Sequence, residues 1–295
     1  MSGERGWITL GSKDLHAEVD PLGAQLSILR DSAGRDLLWD GDPAVWKGRA
    51  PLLFPIVGEL AGGAYRVNSR SYHLPRHGFA RTRRFELADS SGATADFTLS
   101  ADPASLEIYP FHFSLGISYR VQGPTLTLAA SIRNTGPAPL PASFGYHPAF
   151  RWPLPYGQER SRHFIEFELD EPAPVRRLDA QGLLTSARHP TPIAGRRLAL
   201  ADSLFEADAL IFDEIRSRSA TYGADTGPRL RVGFFDAPFL GVWTKPGARF
   251  ICVEPWHGLA DPEGFTGELG SKPGIFSVPP GSTRRIEVSI TLLGI

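Results

Sequence analysis

The chain has 295 residues, with 31 Lys and Arg against 32 Asp and Glu and a formal net charge of −1. So even a balance gives no electrostatic reason to expect nucleic acid or an anionic membrane as partner. The length can bury a substantial core as one large all-β domain or two smaller ones. The single cysteine, Cys252, excludes an intrachain disulfide and a multi-cysteine zinc site. With Ile251 and Val253 as neighbours it reads as an apolar filler in a buried strand. The N-terminal Met-Ser-Gly-Glu-Arg-Gly-Trp lacks a signal peptide's apolar core, and no run reaches transmembrane length, so a cytoplasmic location is expected.

The predicted elements are nearly all strands, punctuated by 31 glycines and 26 prolines,. Short signals cover residues 7–10 and 15–29, one helical turn is expected near 42–47, and a further strand covers 94–100. Leu115, Ile117, Tyr119 and Val121 then alternate with polar or small residues. After the turn Gln122-Gly123-Pro124, Leu126, Leu128, Ala130 and Ile132 do the same. This is a hairpin with one face in the core and one in water. Strand signals follow at 163–169, 230–235 and 239–243. The C-terminal run closes the pattern, with Ile286, Val288, Ile290 and Leu292 on one face. No internal repeat or low-complexity linker appears, and Pro137–Pro141 is too short to separate domains. One domain of stacked antiparallel sheets over residues 1–295 is the expectation.

Two segments carry the chemistry. Ser143-Phe144-Gly145-Tyr146-His147-Pro148-Ala149-Phe150 and Val253-Glu254-Pro255-Trp256-His257-Gly258 each place one titratable side chain before a proline and among aromatics. Proline pushes the preceding residue into an extended conformation, so His147 and Glu254 are expected at strand ends, walled by Tyr146, Phe150 and Trp256. An imidazole and a carboxylate so held are the parts of a general acid–base pair. An aromatic platform such as Trp256 suits the C–H face of a sugar ring, with fixed polar groups for its hydroxyls. His77, beside Gly78, is a second candidate imidazole; His73, His112, His163 and His189 read as surface or loop residues. No histidine pair or carboxylate cluster has metal-ligand spacing, and no glycine loop cradles a phosphate ahead of a helix. Neither a metal nor a nucleotide cofactor is expected.

The chain resembles the aldose 1-epimerase (galactose mutarotase) superfamily, and within it the LacX-like branch. The matching blocks, in order, are Arg49-Ala50-Pro51-Leu52-Leu53-Phe54-Pro55-Ile56-Val57-Gly58, His77-Gly78-Phe79-Ala80-Arg81, Phe144 to Phe150, Leu204 to Phe212, and Glu254-Pro255-Trp256. The resemblance implies a β-supersandwich, an unactivated hexose as small-molecule substrate, and no metal or cofactor. It implies Glu254 as general base, His147 as general acid, and His77 as a ligand near the sugar ring. It makes Asp208 the carboxylate that grips hydroxyls, with Asp213 a weaker candidate. Many members carry a sugar-contacting arginine near the place where Glu59 stands here, so either Arg49 or Arg81 is expected to contribute from another direction or the hydroxyl pattern recognised differs.

With ordinary pKa values of roughly 4.3 for Glu and 6.5 for His, Glu254 is expected ionised and His147 partly protonated. Two alternatives stand beside a free-hexose epimerase. One is a hexose-6-phosphate 1-epimerase, with Arg49, Arg76, Arg81 and Arg83 as phosphate candidates; the other is a sugar-binding module without turnover. Monomer and homodimer both stay open.

Overall fold

The structure is a computed structural model and describes residues 6–294. Met1–Arg5, on which most of the signal-peptide reading rests, and Ile295 lie outside the described residues. The alternation read from the sequence folds as expected. Strands Phe113–Gln122 and Thr125–Asn134 pair antiparallel in unbroken register from Thr125↔Gln122 to Asn134↔Phe113. Leu115, Ile117, Tyr119, Val121, Leu126, Leu128, Ala130 and Ile132 are all buried. They form the centre of a nine-stranded sheet. Its other members, outward from Thr125–Asn134, are Thr283–Leu293, Arg229–Gly233, Ser219–Gly223, Phe164–Phe167 and Arg197–Ala199; beyond Phe113–Gln122 lie Thr94–Ser100 and Glu86–Ser90.

A second, six-stranded sheet has the order Leu210–Phe212, Phe239–Trp243, Phe250–His257, Phe144–Tyr146 and Leu52–Leu53, with Ala149–Arg151 also on Phe250–His257. Its residues Leu210, Leu240, Val253, Phe144 and Phe150 join Leu115, Ile132, Val232 and Ile290 of the large sheet in one buried apolar cluster. Such stacked antiparallel layers each bury one face and leave the other for solvent or a site.

The helical turn expected near 42–47 is a turn in which the Val45 and Trp46 N–H groups both donate to the Asp42 carbonyl. One short helix, Pro103–Ile108, was not anticipated; Asp102 caps it, accepting from Ser105 N, and Pro103 stands at its start, where a missing N–H costs nothing. Among the described residues no helix is long and apolar enough to cross a membrane.

Behind the six-stranded sheet's loops lies a buried ion pair, Lys272 Nζ to Asp261 Oδ1 at 2.5 Å, with side chains 1% and 3% exposed. Asp261 Oδ2 also accepts the Ala61 N–H, and the Asp261 N–H donates to the Glu59 carbonyl. The pair therefore ties segment 259–261 to segment 58–61. Removing one member of a buried pair leaves an uncompensated charge. Lys272→Met should cost about 3–5 kcal/mol of unfolding free energy by guanidinium titration. Lys272→Met with Asp261→Asn, which keeps an acceptor for Ala61, should recover most of that. A single-variant loss under about 1 kcal/mol, the scale of a surface pair, would contradict this reading.

Candidate active site

The two proline-bearing segments meet where the six-stranded sheet is interrupted. Strand Phe250–His257 is flanked on one side by Phe239–Trp243 in unbroken register, Gly241 opposite Glu254 and Leu240 opposite Pro255. On its other side the partner is split. Phe144 and Gly145 pair with His257 and Trp256, while Ala149–Arg151 pair with Cys252 to Phe250. His147 and Pro148 occupy the gap between these short strands, opposite Glu254 and Val253 in the shared register, and Pro255 lies opposite Tyr146. Neither proline has an N–H to offer the ladder, so the sheet opens there. Glu254 thus lies inside a strand, not at its end as expected: Pro255 keeps its pairing with Leu240, and the break falls on the neighbouring segment.

Period-two alternation places Cys252, Glu254 and Trp256 on one face of their strand. The Trp256 indole lies over two glycines. A Cβ on Gly241 would sit 2.4 Å from its Cζ2, and one on Gly145 would sit 2.9 Å from its Cδ1. The same alternation corrects the expected walls. Tyr146 and Phe150 point into the core cluster, because the neighbours of an outward-facing residue in an extended chain face the other way. The walls are instead Trp46, Trp243 and Trp256, around a cavity of about 300 Å³ that His77, His147 and Glu254 also line.

His147 Nε2 stands 3.1 Å from Glu254 Oε2. The contact lacks the alignment of a hydrogen bond, and both Glu254 Oε2 and His147 Nδ1 are buried without hydrogen-bond partners. Glu254 is 1% exposed and His147 7%. Burial holds the Glu254 carboxyl well above the usual carboxylate range, although the Arg76 charge opposes it. Burial likewise pushes His147 down to about 3. Desolvation disfavours each charged form, so burial favours a protonated Glu254 beside a neutral His147. This direction runs against the expected ionised carboxylate beside a partly protonated imidazole.

His77 takes a left-handed φ of 67°, as does Asp208 at 62°. Such backbone is uncommon for non-glycine residues and clusters at functional sites. The Gly58 N–H donates to His77 Nδ1 at 3.0 Å, and the His77 N–H donates back to the Gly58 carbonyl. Burial, then the neighbouring His147, Arg76 and Arg81, keep the His77 imidazole well below its ordinary range. With Nδ1 accepting and the ring neutral, Nε2–H is its one donor. Asp208 lines the cavity, and its turn is held by Arg177, which donates to the Asp208 and Leu204 carbonyls at 2.8 Å.

Of the residues singled out from the sequence, His147, Glu254, His77, Asp208, Arg81 and Trp256 line this cavity. Arg49 does not. Its Nη1 donates to the Ser27 carbonyl, and its guanidinium lies over the Trp7 ring. Asp213 is held outside the lining by Arg176 and Arg188. Glu59 is also outside it, its Oε1 accepting the Leu60 N–H. Arg83 pairs with Asp102. His163, read as a surface residue, is 1% exposed, and its Nε2 accepts the Leu154 N–H. Trp46 and Trp243 were not anticipated. Each reaches the cavity through long-range placement that no local spacing marks; six tryptophans in the chain were the available hint.

Comparison with known proteins agrees with this geometry. The family model for aldose 1-epimerase matches residues 7–268. The chain is 32% identical to the chromosomal LacX protein of Lactococcus lactis subsp. lactis over 296 aligned positions, covering 97% of this chain and 99% of the relative. Among solved structures, a galactose mutarotase related enzyme from Lactobacillus acidophilus superposes with a TM-score of 0.90 at 28% identity, over 98% of this chain and 97% of the other. A galactose mutarotase-like protein from Lactobacillus casei does so with a TM-score of 0.90 at 26% identity, over 97% of this chain and 100% of the other. Stacked antiparallel sheets, the ordered motifs and near-full-length matches lead to one conclusion: the chain belongs to the aldose 1-epimerase family.

Proposed function

We propose that this chain interconverts the α and β anomers of an aldose by opening and reclosing the hemiacetal ring in the cavity of His147 and Glu254. The observation that carries the reading is the 3.1 Å approach of the imidazole to the carboxyl beneath three indoles. Ring opening removes a proton from the C1 hydroxyl and delivers another to the ring oxygen. Two proton-transfer groups this close can reach both oxygens of one anomeric centre. Indole faces suit the C–H face of a pyranose. His77 Nε2–H and Asp208 supply a donor and an acceptor for hydroxyls, and Arg81 a further donor.

The pair shares one transferable proton. In its ionic form, Glu254 takes the O1 proton while His147 protonates the ring oxygen. This leaves protonated Glu254, neutral His147 and the open-chain aldehyde. Rotation about C1–C2 presents the other carbonyl face. Glu254 then returns its proton to the carbonyl oxygen as His147 removes the proton of the attacking hydroxyl. Burial favours the proton arrangement of the open-chain stage, with Glu254 protonated and His147 neutral.

A free hexose is the first reading of the substrate. One observation favours an aldose phosphate as a second. Arg76 and Arg81 both line the cavity, and neither has a carboxylate within ion-pair distance among the described residues. Glu59, whose carboxylate would repel a dianion if it faced the cavity, is not part of the lining. Guanidinium forks match phosphate oxygens well, although Arg81 already donates Nη2 to the Arg76 carbonyl at 2.6 Å.

The pair's two titrations set the pH profile. Adding a proton to the one-proton pair charges His147, and removing it ionises Glu254, so the acid limb of kcat/KM belongs to His147 and the alkaline limb to Glu254. The acid limb should lie below the ordinary histidine range, near the depressed value of about 3. The alkaline limb should lie well above the ordinary carboxylate range. Polarimetry corrected for the spontaneous rate should show this broad plateau. Limbs near about pH 4.3 and 6.5 would restore the ionic resting pair. Glu254→Gln and His147→Asn should each cost about 10²–10⁴-fold in kcat, with losses far from additive in the double variant.

Polarimetry of fresh α-glucose, α-galactose and glucose 6-phosphate also separates the substrates. The free-hexose reading expects comparable or better turnover of the neutral sugars, with Arg76→Ala and Arg81→Ala acting mildly. A preference for the phosphate of about tenfold or more, the scale of one charge-assisted contact, abolished by either variant, would establish the second reading. Binding of these sugars without turnover would leave a recognition module.

A further inference from the structure

A catalytic imidazole is commonly oriented through its non-reacting nitrogen, which bonds a carboxylate or a backbone carbonyl. His77 follows that rule in mirror form, with its Nδ1 fixed by the Gly58 N–H. His147 does not. Its Nε2 faces Glu254, while Nδ1 is buried with no hydrogen-bond partner. The χ2 torsion of a histidine is broad and nearly two-fold. A half-turn would exchange Nε2 with Cε1 and put carbon where the carboxyl needs nitrogen. Beyond a contact of the ring with its own backbone, no other residue offers Nδ1 a hydrogen bond, so the ring's packing must help to hold it.

Its neighbours are aromatic. The Trp46 indole stacks on the His147 ring with centroids 5.1 Å apart and planes at 27°. Trp243 meets the ring edge-on at 5.9 Å and 85°, and His77 does so at 5.9 Å and 84°. Building on the reading of His147 as a proton-transfer group, we propose that Trp46 is a positioning residue, whose stacked indole fixes the imidazole plane so that Nε2 stays on the Glu254 carboxyl.

Trp46 is braced for such a role although it lies on a loop. Its ring stacks on Phe250 at 5.3 Å and meets Trp243 edge-on at 5.5 Å. Its carbonyl accepts the Trp39 indole N–H at 2.8 Å, and its own N–H closes the turn on the Asp42 carbonyl at 2.8 Å. Gly48 leaves the room the ring needs, since a Cβ there would lie 2.4 Å from the Trp46 ring. A flat ring gripped on several sides can transmit its orientation to the ring stacked on it.

The stack also keeps water from one face of the imidazole. The titratable and charged groups around His147 are Glu254 at 3.1 Å, His77 edge-on, the charges of Arg76 and Arg81, and the Cys252 thiol, whose sulfur lies within 4.8 Å of a ring nitrogen and of the Glu254 carboxyl. Burial is the largest influence on the His147 proton affinity. Stripping away the indole therefore moves that affinity up toward the ordinary histidine value, and the acid limb of kcat moves up with it.

The test uses Trp46→Leu and Trp46→Met, which keep apolar bulk without a flat ring, and Trp46→Phe, which keeps a ring. Kinetics are measured on the best-used aldose, and the His147 ring nitrogens are followed by NMR across pH in the full chain. We expect kcat to fall about tenfold or more in the Leu and Met variants, as misplaced proton-transfer groups lose rate steeply. KM should change less than about twofold, the acid limb should rise, and Trp46→Phe should restore most of kcat. An increase in KM at unchanged kcat would make Trp46 a sugar platform instead and overturn the inference, as would an unmoved His147 titration. The NMR arm needs no turnover. A protein inactive on every aldose would refute the proposed function while the titration still decided the role of Trp46.

Discussion

A carboxyl and an imidazole buried 3.1 Å apart, with Glu254 Oε2 and His147 Nδ1 lacking hydrogen-bond partners, can both stay uncharged only while their one transferable proton sits on the carboxyl. Everything else in the site bears on that constraint. Water would relieve it by solvating both charges, and the three indoles keep water away. Arg76 pulls the proton balance toward ionised Glu254, and burial outweighs it.

The sheet makes the constraint possible. The shared register sets His147 directly opposite Glu254, where cross-strand side chains on one face meet. Pro148, opposite Val253, and Pro255, opposite Tyr146, remove two N–H donors two residues apart along the ladder, so the chain on one side splits into Phe144–Tyr146 and Ala149–Arg151, while Phe239–Trp243 holds the other side intact. The opening is therefore local, and rigid strands surround it. The Lys272–Asp261 pair secures segment 58–61, whose Gly58 N–H fixes the tautomer of His77. Order in the site is inherited from backbone pairing more than from its own contacts.

Much of this was legible in the sequence because it is local. Period-two alternation at 115–121, 126–132 and 286–292 foretold both strands and faces. The prolines and aromatics around His147 and Glu254 marked the chemistry. What failed was long-range or environmental. Treating Tyr146 and Phe150 as walls ignored the rule that adjacent residues of an extended chain face opposite sides. Placing Glu254 at a strand end assumed that a proline must end its own strand, whereas here it breaks its neighbour's pairing. Arg49 belongs to a motif that matches the family, yet its guanidinium is engaged by Ser27 and Trp7. Trp46 reaches His147 across a hundred residues of chain. The proton arrangement of the pair depends on burial, which no spacing encodes.

The central claim is that the resting site holds its proton on Glu254 beside a neutral His147. Infrared difference spectroscopy of the unliganded protein against Glu254→Gln at neutral pH tests it most directly. The account predicts the carbonyl stretch of a protonated carboxylic acid, present in the wild-type protein and lost in the variant. Loss of carboxylate bands alone, with no protonated-acid stretch, would show that Glu254 is ionised and contradict it.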